Sequence, residues 1–275
     1  MNIAVIAASV GGNGLSAPYG SQSGFKADRI PVLGYHQVDI HSAYSVWSKN
    51  FALQMKLLKD LGYSTISPAQ YLAWMYGEEV DLPLKPILIT FDDGFVNVLG
   101  LTHILQRYGF RAVMFAVSGF ADSKNPYFMN WQQLESIRDA GWYIQLHAGP
   151  SGHKEFRQKC KHFLGCRQPG EAIDHYRERV MNDLDEGEKA LAAHGLLEGN
   201  KTSILALPFA DEGIRGGDTD IASWFPQYLS ERFRCILHQA NYRKGFNRRF
   251  RYEVHMQTTL AELRKALIDK RFMLK

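Results

Sequence analysis

The sequence has few cysteines, no large excess of charge and too little glycine and proline for a repetitive or disordered chain. Its 24 glycines and 10 prolines fall far short of a collagen-like or low-complexity composition. With 32 basic and 28 acidic residues, the net charge of +4 gives no reason to expect nucleic acid as a partner. What remains is an ordinary globular protein.

Long hydrophobic runs are also missing, because no apolar stretch approaches the roughly 20 residues that cross a bilayer. A short apolar run at residues 3–10 precedes a Gly/Ser-rich stretch that reaches residue 24. This run fits a remnant of an export signal, a first strand or a loose tail. We predict a tail or signal remnant at residues 1–29 and a single domain at residues 30–275.

The three cysteines, Cys160, Cys166 and Cys235, are too few for a disulfide framework. Cys160 and Cys166 could pair in a secreted protein, but free buried thiols are the favoured interpretation. A structural zinc site made by His153, Cys160, His162 and Cys166 is a weaker alternative, because their spacing fits no usual zinc-binding pattern.

Short apolar runs alternate along the chain with longer amphipathic ones, which predicts strands alternating with helices. The predicted strands lie at residues 30–35, 86–91, 111–117, 142–146, 203–207, 235–237 and 251–255. The predicted helices lie at residues 48–61, 131–140, 170–194 and 259–269, with a further helical stretch ending at residue 109. Strands that are apolar at every position indicate a parallel sheet covered on both faces. We expect an α/β fold, a closed (β/α) barrel, with an open doubly wound sheet as the alternative.

Titratable or aromatic residues follow several of the predicted strands. Asp92 and Asp93 end one strand, His36 and His147 end two others, and Phe209 and His238 follow later ones. Because ligands bind at the carboxyl ends of strands in barrels and in open α/β sheets, these residues are expected at one functional edge.

Asp92 and Asp93 could cap a helix or share a divalent cation, since adjacent buried carboxylates need a partner for their charge. Two imidazoles, His147 and His153, together with one of these carboxylates would make a three-residue ligand set with a position left for water. That arrangement is typical of catalytic zinc. Four other histidines, His41, His103, His175 and His194, are interpreted as surface residues.

Five segments of the sequence resemble the polysaccharide deacetylases of carbohydrate esterase family 4, which share the NodB-type domain. The segments are residues 32–38 (VLGYHQV), 88–94 (LITFDDG), 108–112 (YGFRA), 129–131 (MNW) and 140–142 (AGW), the last leading to His147. Within the family the sequence is most similar to the poly-β-1,6-N-acetylglucosamine N-deacetylases. The resemblance covers about residues 30–210 and implies a distorted (β/α)7 barrel.

The resemblance also implies roles for individual residues. Asp92 would be the general base and His36 the general acid, with His238 as the reserve candidate for the acid. Asp93, His147 and His153 would bind a divalent metal, with Zn²⁺ first and Ni²⁺, Co²⁺ or Fe²⁺ as alternatives. The backbone N–H of Phe209 would help to hold the oxyanion. The expected reaction is metal-dependent N-deacetylation of an N-acetylglucosamine polysaccharide, with release of acetate.

Three departures from the family pattern keep other functions open. The segment from His147 to His153 is two residues longer than usual, Ala210 replaces a glycine, and residues 154–172 form an unexpected insertion. The alternatives are an inactive carbohydrate-binding relative with the same barrel, and a metal-dependent hydrolase of another amide.

Sugar polymers are commonly bound by exposed aromatic side chains, for which Trp131, Trp142, Trp224 and Tyr127 are candidates, although core packing is the commoner fate of each. The basic segment at residues 243–251 is interpreted as a solvated face, with an anionic polymer or membrane surface as the alternative. We expect a monomer that acts on a polysaccharide outside the cell, in the periplasm or at the cell surface, and that does not bind nucleic acid.

Overall fold

The computed structural model describes residues 27–156, 162–214, 216–239 and 247–274. The strands are β1 Val32–Tyr35, β2 Gln37–Val38, β3 Ser45–Val46, β4 Ser64–Thr65, β5 Pro86–Asp93, β6 Val113–Val117, β7 Tyr143–Ala148, β8 Ile204–Ala206, β9 Cys235–His238, β10 Arg248–Phe250 and β11 Tyr252–Glu253. The helices are α1 Ser48–Asp60, α2 Pro68–Tyr76, α3 Thr102–Tyr108, α4 Ser118–Asp122, α5 Trp131–Asp139, α6 Ile173–Ala193, α7 Thr219–Arg232 and α8 Leu260–Ala266. Among these helices none is long and apolar enough to cross a membrane.

The strands of the barrel pair in parallel, as the uniformly apolar strand sequences predict. β5 is buried along its whole length and lies between β1 and β6. The larger sheet runs β11-β1-β5-β6-β7, and a second sheet runs β10-β9-β8. Burial on both faces explains the lack of polar alternation in β5 and β6.

The two sheets form one distorted barrel with seven strand positions, because Arg251 alone separates β10 from β11. β10 pairs with β9, and β11 pairs with β1. At the other junction, between β7 and β8, a side chain takes the place of a backbone ladder. Buried Gln145 accepts hydrogen bonds from the backbone N–H groups of Ser203 (3.0 Å) and Ile204 (3.1 Å). The distorted (β/α) barrel is therefore confirmed.

Helix boundaries follow local capping chemistry. Asn130 and Gln133 form a capping box at the start of α5, so the Met-Asn-Trp segment marks the beginning of that helix. Ser67 and Gln70 cap α2 in the same way, with Pro68 at the first helical position. Apolar periodicity does not predict α2 or α7. In α7 the internal Pro226 breaks the sequence pattern of a helix, although the Asp218 side chain caps its N-terminus.

The cysteines differ in part from the expectation of free thiols. Cys166 is disulfide-bonded, so the prediction is wrong for this residue, whereas Cys235 is free and buried as predicted. Cys160 lies outside the described residues. The alternative of a structural zinc site is also wrong, because Cys166 is in a disulfide and His162 hydrogen-bonds Asp211.

Candidate active site

The candidate site is a cleft of about 550 Å³ at the carboxyl ends of the barrel strands. It lies where parallel β/α folds place their ligands. Six residues singled out from the sequence line this cleft: His36, Asp92, Asp93, His147, His153 and Phe209.

Asp93, His147 and His153 are brought together as a candidate metal centre. Asp93 Oδ1 lies 3.3 Å from His147 Nε2 and 3.0 Å from His153 Nε2. One ligand atom from each residue falls within 4.8 Å of the other two. Burial alone would raise the pKa of Asp93, but the contacts with both imidazoles outweigh it and hold the pKa well below its ordinary value.

The chemistry of these three donors fits a divalent cation. His147 Nδ1 lies 2.6 Å from the carbonyl oxygen of Ala206, which can only accept, so this nitrogen carries the ring proton. His147 Nε2 is then the nitrogen that faces Asp93 Oδ1. His153 Nε2 lies beside the same oxygen, so one carboxylate oxygen and two imidazole nitrogens converge on one buried point. Oxygen and nitrogen donors in this arrangement suit a divalent metal ion.

The turn at the end of β5 sets the directions of the Asp92 and Asp93 carboxylates. Asp93 adopts a left-handed conformation (φ 71°), which few non-glycine residues do. The 3-10 helix that follows, Val96–Leu101, begins after Phe95 and has no side-chain cap. Neither aspartate is therefore a helix cap, and the alternative interpretation of the Asp-Asp pair is wrong.

The long segment between His147 and His153 folds around the carboxylate of Asp183 on α6. Asp183 accepts hydrogen bonds from the backbone N–H groups of Gly149 (3.0 Å) and Ser151 (2.6 Å). A Cβ at Gly152 would lie 2.3 Å from Asp183 Oδ2, so only glycine fits there. The longer segment therefore folds around the buried Asp183 carboxylate, and His153 still lies next to Asp93.

Asp92 is held by a guanidinium group. Both of its oxygens contact Arg251, which lies between β10 and β11, and both side chains are almost fully buried. Burial opposes ionisation of Asp92, but the charge of Arg251, with His147 and His36, lowers the pKa of this carboxyl below its ordinary value. Asp92 is therefore an ionised acceptor at neutral pH.

His36 is paired with a second carboxylate. Its Nδ1 lies 2.8 Å from Glu253 Oε1, and its Nε2 lies 3.7 Å from Asp92 Oδ2. Burial disfavours the imidazolium, but Glu253, Asp92 and Asp93 outweigh burial and raise the pKa of His36 to about 9. A Cβ at Gly34 would approach Arg251 Nε and Glu253 Oε2 to 2.9 Å, so a glycine in β1 leaves room for both charged groups.

Phe209 lines the same cleft from a turn with unfavourable backbone angles. Phe209 and Ala210 both have positive φ, 57° and 50°. The ring of Phe209 contacts the ring of His153 at 4.6 Å and that of His162 at 4.2 Å between centroids. Ala210 therefore occupies a left-handed position that a glycine would adopt without strain.

Comparisons with known proteins agree with this geometry. Residues 79–212, which include all three candidate metal ligands, match the sequence model of the polysaccharide deacetylases. This part of the chain, just under half of its length, is therefore similar to that family. YxkH of Bacillus subtilis, whose name assigns it to the polysaccharide deacetylases, is 29% identical over 123 residues. That match covers 44% of this chain and 43% of YxkH, so the chain spans less than half of that relative's length.

Solved structures of deacetylases share the fold. The de-N-acetylase from Aggregatibacter actinomycetemcomitans has a TM-score of 0.71 at 19% identity and covers 87% of this chain and 100% of its own. IcaB from Ammonifex degensii has a TM-score of 0.66 at 23% identity, with coverage of 88% and 97%. The deacetylase PplD of Streptococcus pyogenes, solved with acetate, has a TM-score of 0.66 at 17% identity, with coverage of 88% and 99%. At these identities the likeness shows the NodB-type fold alone.

Other residues predicted for the deacetylase site lie elsewhere. Trp131 stacks on His194 at 4.3 Å, and its indole nitrogen donates to Asp122 at 2.7 Å, outside the residues that line the cleft. This placement gives no support to a role in substrate binding. His238 is buried 2.9 Å from Glu212, also outside that lining, so the geometry favours His36 as the acid.

The other aromatic candidates also lie apart from the cleft lining. Trp142 is buried in the core, Trp224 stacks on Tyr228, and Tyr127 is 73% exposed.

The end of the basic segment is internal, not a solvated face. Arg248 is buried against Glu212, and Arg251 is buried against Asp92. The expectation of a solvated face is wrong for these two residues, and residues 243–246 lie outside the described residues. Sequence reasoning missed Arg251 and Glu253 as members of the candidate site. A usable signal was present, since charged side chains inside a predicted strand need internal partners.

Proposed function

We propose that the protein is a metal-dependent N-deacetylase of an N-acetylglucosamine polysaccharide. The proposal rests on one observation: the metal-binding triad of Asp93, His147 and His153 shares a cleft with an ionised carboxylate, Asp92, and a protonated imidazole, His36. Amide hydrolysis needs a group that accepts a proton from water and a group that gives one to the leaving amine.

Asp93, His147 and His153 would hold the metal. When bound, a divalent cation supplies Lewis-acid polarisation of the acetyl carbonyl and makes water more acidic. Asp92, next to the triad on the same strand end, accepts the proton from the attacking water. Its bidentate contact with Arg251 fixes the direction of the carboxylate and keeps it ionised.

His36 protonates the departing sugar nitrogen, which is a poor leaving group as an anion. Its pKa of about 9 keeps the imidazole charged at neutral pH. The backbone N–H of Phe209 is the proposed donor to the oxyanion, where one such donor contributes about 10²–10³ in rate.

A polymeric substrate is supported by a second cavity beside the cleft. This cavity of about 530 Å³ shares Ser42 with the cleft and is lined by Tyr252, His255 and Glu262. Tyr44 stands between them, with its ring 5.3 Å from His36 and 5.8 Å from His255. The proposed path of the glycan runs from the cleft across Tyr44 into this cavity.

The resemblance to the poly-β-1,6-N-acetylglucosamine branch supports that polymer as the substrate. The disulfide at Cys166 supports a location outside the cytoplasm, at the cell surface, in the periplasm or in the medium. Of the proposed tail or signal remnant at residues 1–29, residues 1–26 lie outside the described residues.

Acetate release from β-1,6- and β-1,4-linked N-acetylglucosamine oligomers, measured with metal analysis of the same preparation, tests the proposal. We expect one bound divalent metal, turnover of the β-1,6 oligomers and loss of turnover in His147→Ala. Binding of the oligomers without acetate release would favour the inactive carbohydrate-binding relative. Turnover of small acylated amines alone would favour a hydrolase of another amide.

A further inference from the structure

The inserted segment places a histidine of its own in the cleft. Residues 154 and 155 pair with residues 162 and 163: Phe163 N donates to Lys154 O at 3.0 Å, and Glu155 forms an antiparallel bridge with His162. This pairing follows His153 directly, so both His153 and His162 lie against the ring of Phe209, at 4.6 and 4.2 Å between ring centroids. Both His153 and His162 line the cleft.

His162 contacts the turn that contains Phe209 in two places. Its ring stacks on Phe209 at 4.2 Å with only 5° between the planes, and its Nδ1 lies 2.7 Å from Asp211 Oδ2. The other oxygen of the buried Asp211 accepts from Gly213 N at 3.0 Å. The contacts therefore fall on residues 209 and 211, on either side of the strained Ala210.

Two consecutive non-glycine residues with positive φ need support from their surroundings, because the left-handed conformation is unfavourable for L-residues that carry a Cβ. The segment that carries His162 is itself fixed to α6. Arg179 donates to the carbonyl oxygens of Phe163 (2.7 Å) and Cys166 (3.0 Å), and its guanidinium lies over the ring of Phe163.

We propose that His162 is a positioning residue that, through Phe209 and Asp211, holds the Leu207–Ala210 turn so that the Phe209 N–H points into the cleft. The inserted segment would then fix the position of the Phe209 N–H, the proposed donor to the oxyanion. The catalytic part of this proposal rests on the proposed deacetylase function, whereas the positioning of Phe209 can be tested without it.

The test compares His162→Ala, which loses both contacts, with His162→Phe, which keeps the stacked ring and loses only the bond to Asp211. His175→Ala, at an exposed histidine on α6, is the matched control. The zinc-loaded proteins are assayed for kcat, KM and metal content with β-1,6-linked N-acetylglucosamine oligomers. In His162→Ala we expect kcat to fall about 10–100-fold at unchanged KM and metal content, because misplacing one oxyanion donor falls short of removing it. His162→Phe should recover most of that loss.

A readout independent of activity is the Phe209 amide signal in protein labelled with ¹⁵N-phenylalanine, assigned by its loss in Phe209→Leu. We expect His162→Ala to shift or broaden this signal, while His162→Phe and His175→Ala leave it near the wild-type position. An unchanged Phe209 signal in His162→Ala overturns the proposal.

The kinetic outcomes separate the rival roles of His162. If His162→Phe is as impaired as His162→Ala while its Phe209 amide signal stays near the wild-type position, the imidazole acts on the substrate or on a proton, and the positioning role is wrong. A lower melting temperature with wild-type kcat shows a structural role only. If the wild type releases no acetate, the proposed function fails, and the amide signal still decides whether His162 positions Phe209.

Discussion

At the scale of single residues, the cleft pairs each of the two proposed proton-transfer groups with a buried partner of opposite charge. Arg251 favours the ionised form of Asp92, and Glu253 favours the protonated form of His36. Arg251 and Glu253 lie two residues apart in the last strand position of the barrel. One short segment therefore influences the protonation of both the proposed base and the proposed acid.

The pH dependence of turnover should reflect the pKa of His36. The acid is available below its pKa of about 9, so kcat should hold through neutral pH and decline as the pH rises past about 9. Removing the carboxylate in Glu253→Gln should move this descending limb to lower pH, because burial then disfavours the imidazolium with less compensation. A pH–rate profile of both proteins checks this, and an unmoved limb in Glu253→Gln would exclude His36 as its source.

The same pKa shift bears on stability. A histidine whose pKa rises from 6.5 to about 9 on folding stabilises the folded state fully below pH 6.5. That contribution is lost as the pH rises through 9.

Substitution of the two adjacent aspartates, Asp92 and Asp93, should have different effects on activity and on metal binding. Asp92→Asn is expected to keep the metal and lower kcat by about 10²–10⁴, the usual contribution of a general base. Asp93→Asn should lose the metal. Metal content and acetate release after a check of folding by circular dichroism measure both effects. Metal loss in Asp92→Asn would reverse the two assignments.

At the scale of elements, the sequence predicted the strands around the site and the residues that end them. β6 is apolar throughout, and β5 and β7 are mostly apolar strands whose ends carry the predicted aspartates and histidine, so the pattern of apolar residues is enough to locate them. It does not suffice for Glu253, whose role depends on β11 lying beside β1 in the register Gly34 to Glu253. That neighbour is set by closure of the barrel, which no local pattern reveals.

The segment between His147 and His153 depends on Asp183 for its shape. Asp183→Ala leaves the N–H groups of Gly149 and Ser151 without their acceptor, so the return of His153 to the site should be less ordered. We expect zinc affinity to fall about 10–100-fold, the usual effect of losing a group that supports a metal ligand. Competition with a chelator measures it. Asp185→Ala, on the same helix but paired with Arg232, is the matched control, and equal affinities in both variants would contradict the prediction.

At the scale of the whole molecule, the cleft and the neighbouring cavity together offer room for more than one sugar. Tyr44, which is 51% exposed, lies between them. Tyr44→Ala should raise KM for long oligomers about fivefold, which corresponds to about 1 kcal/mol of stacking, and should leave the shortest substrates unaffected. Tyr127→Ala, at the more exposed tyrosine outside the cleft lining, should change neither. If Tyr44→Ala raised KM equally for oligomers of every length, the substrate would not extend beyond the cleft.

The last strand position of the barrel lies far in sequence from the proposed metal ligands. Those ligands lie between residues 93 and 153, whereas Arg251 and Glu253 reach the cleft from near the other end of the described chain. Substitutions in that strand can therefore retune the working pH without altering the coordinating atoms. Natural variation and laboratory selection can thus adapt the protein to acidic or alkaline surroundings through two positions while its affinity for the ion stays constant.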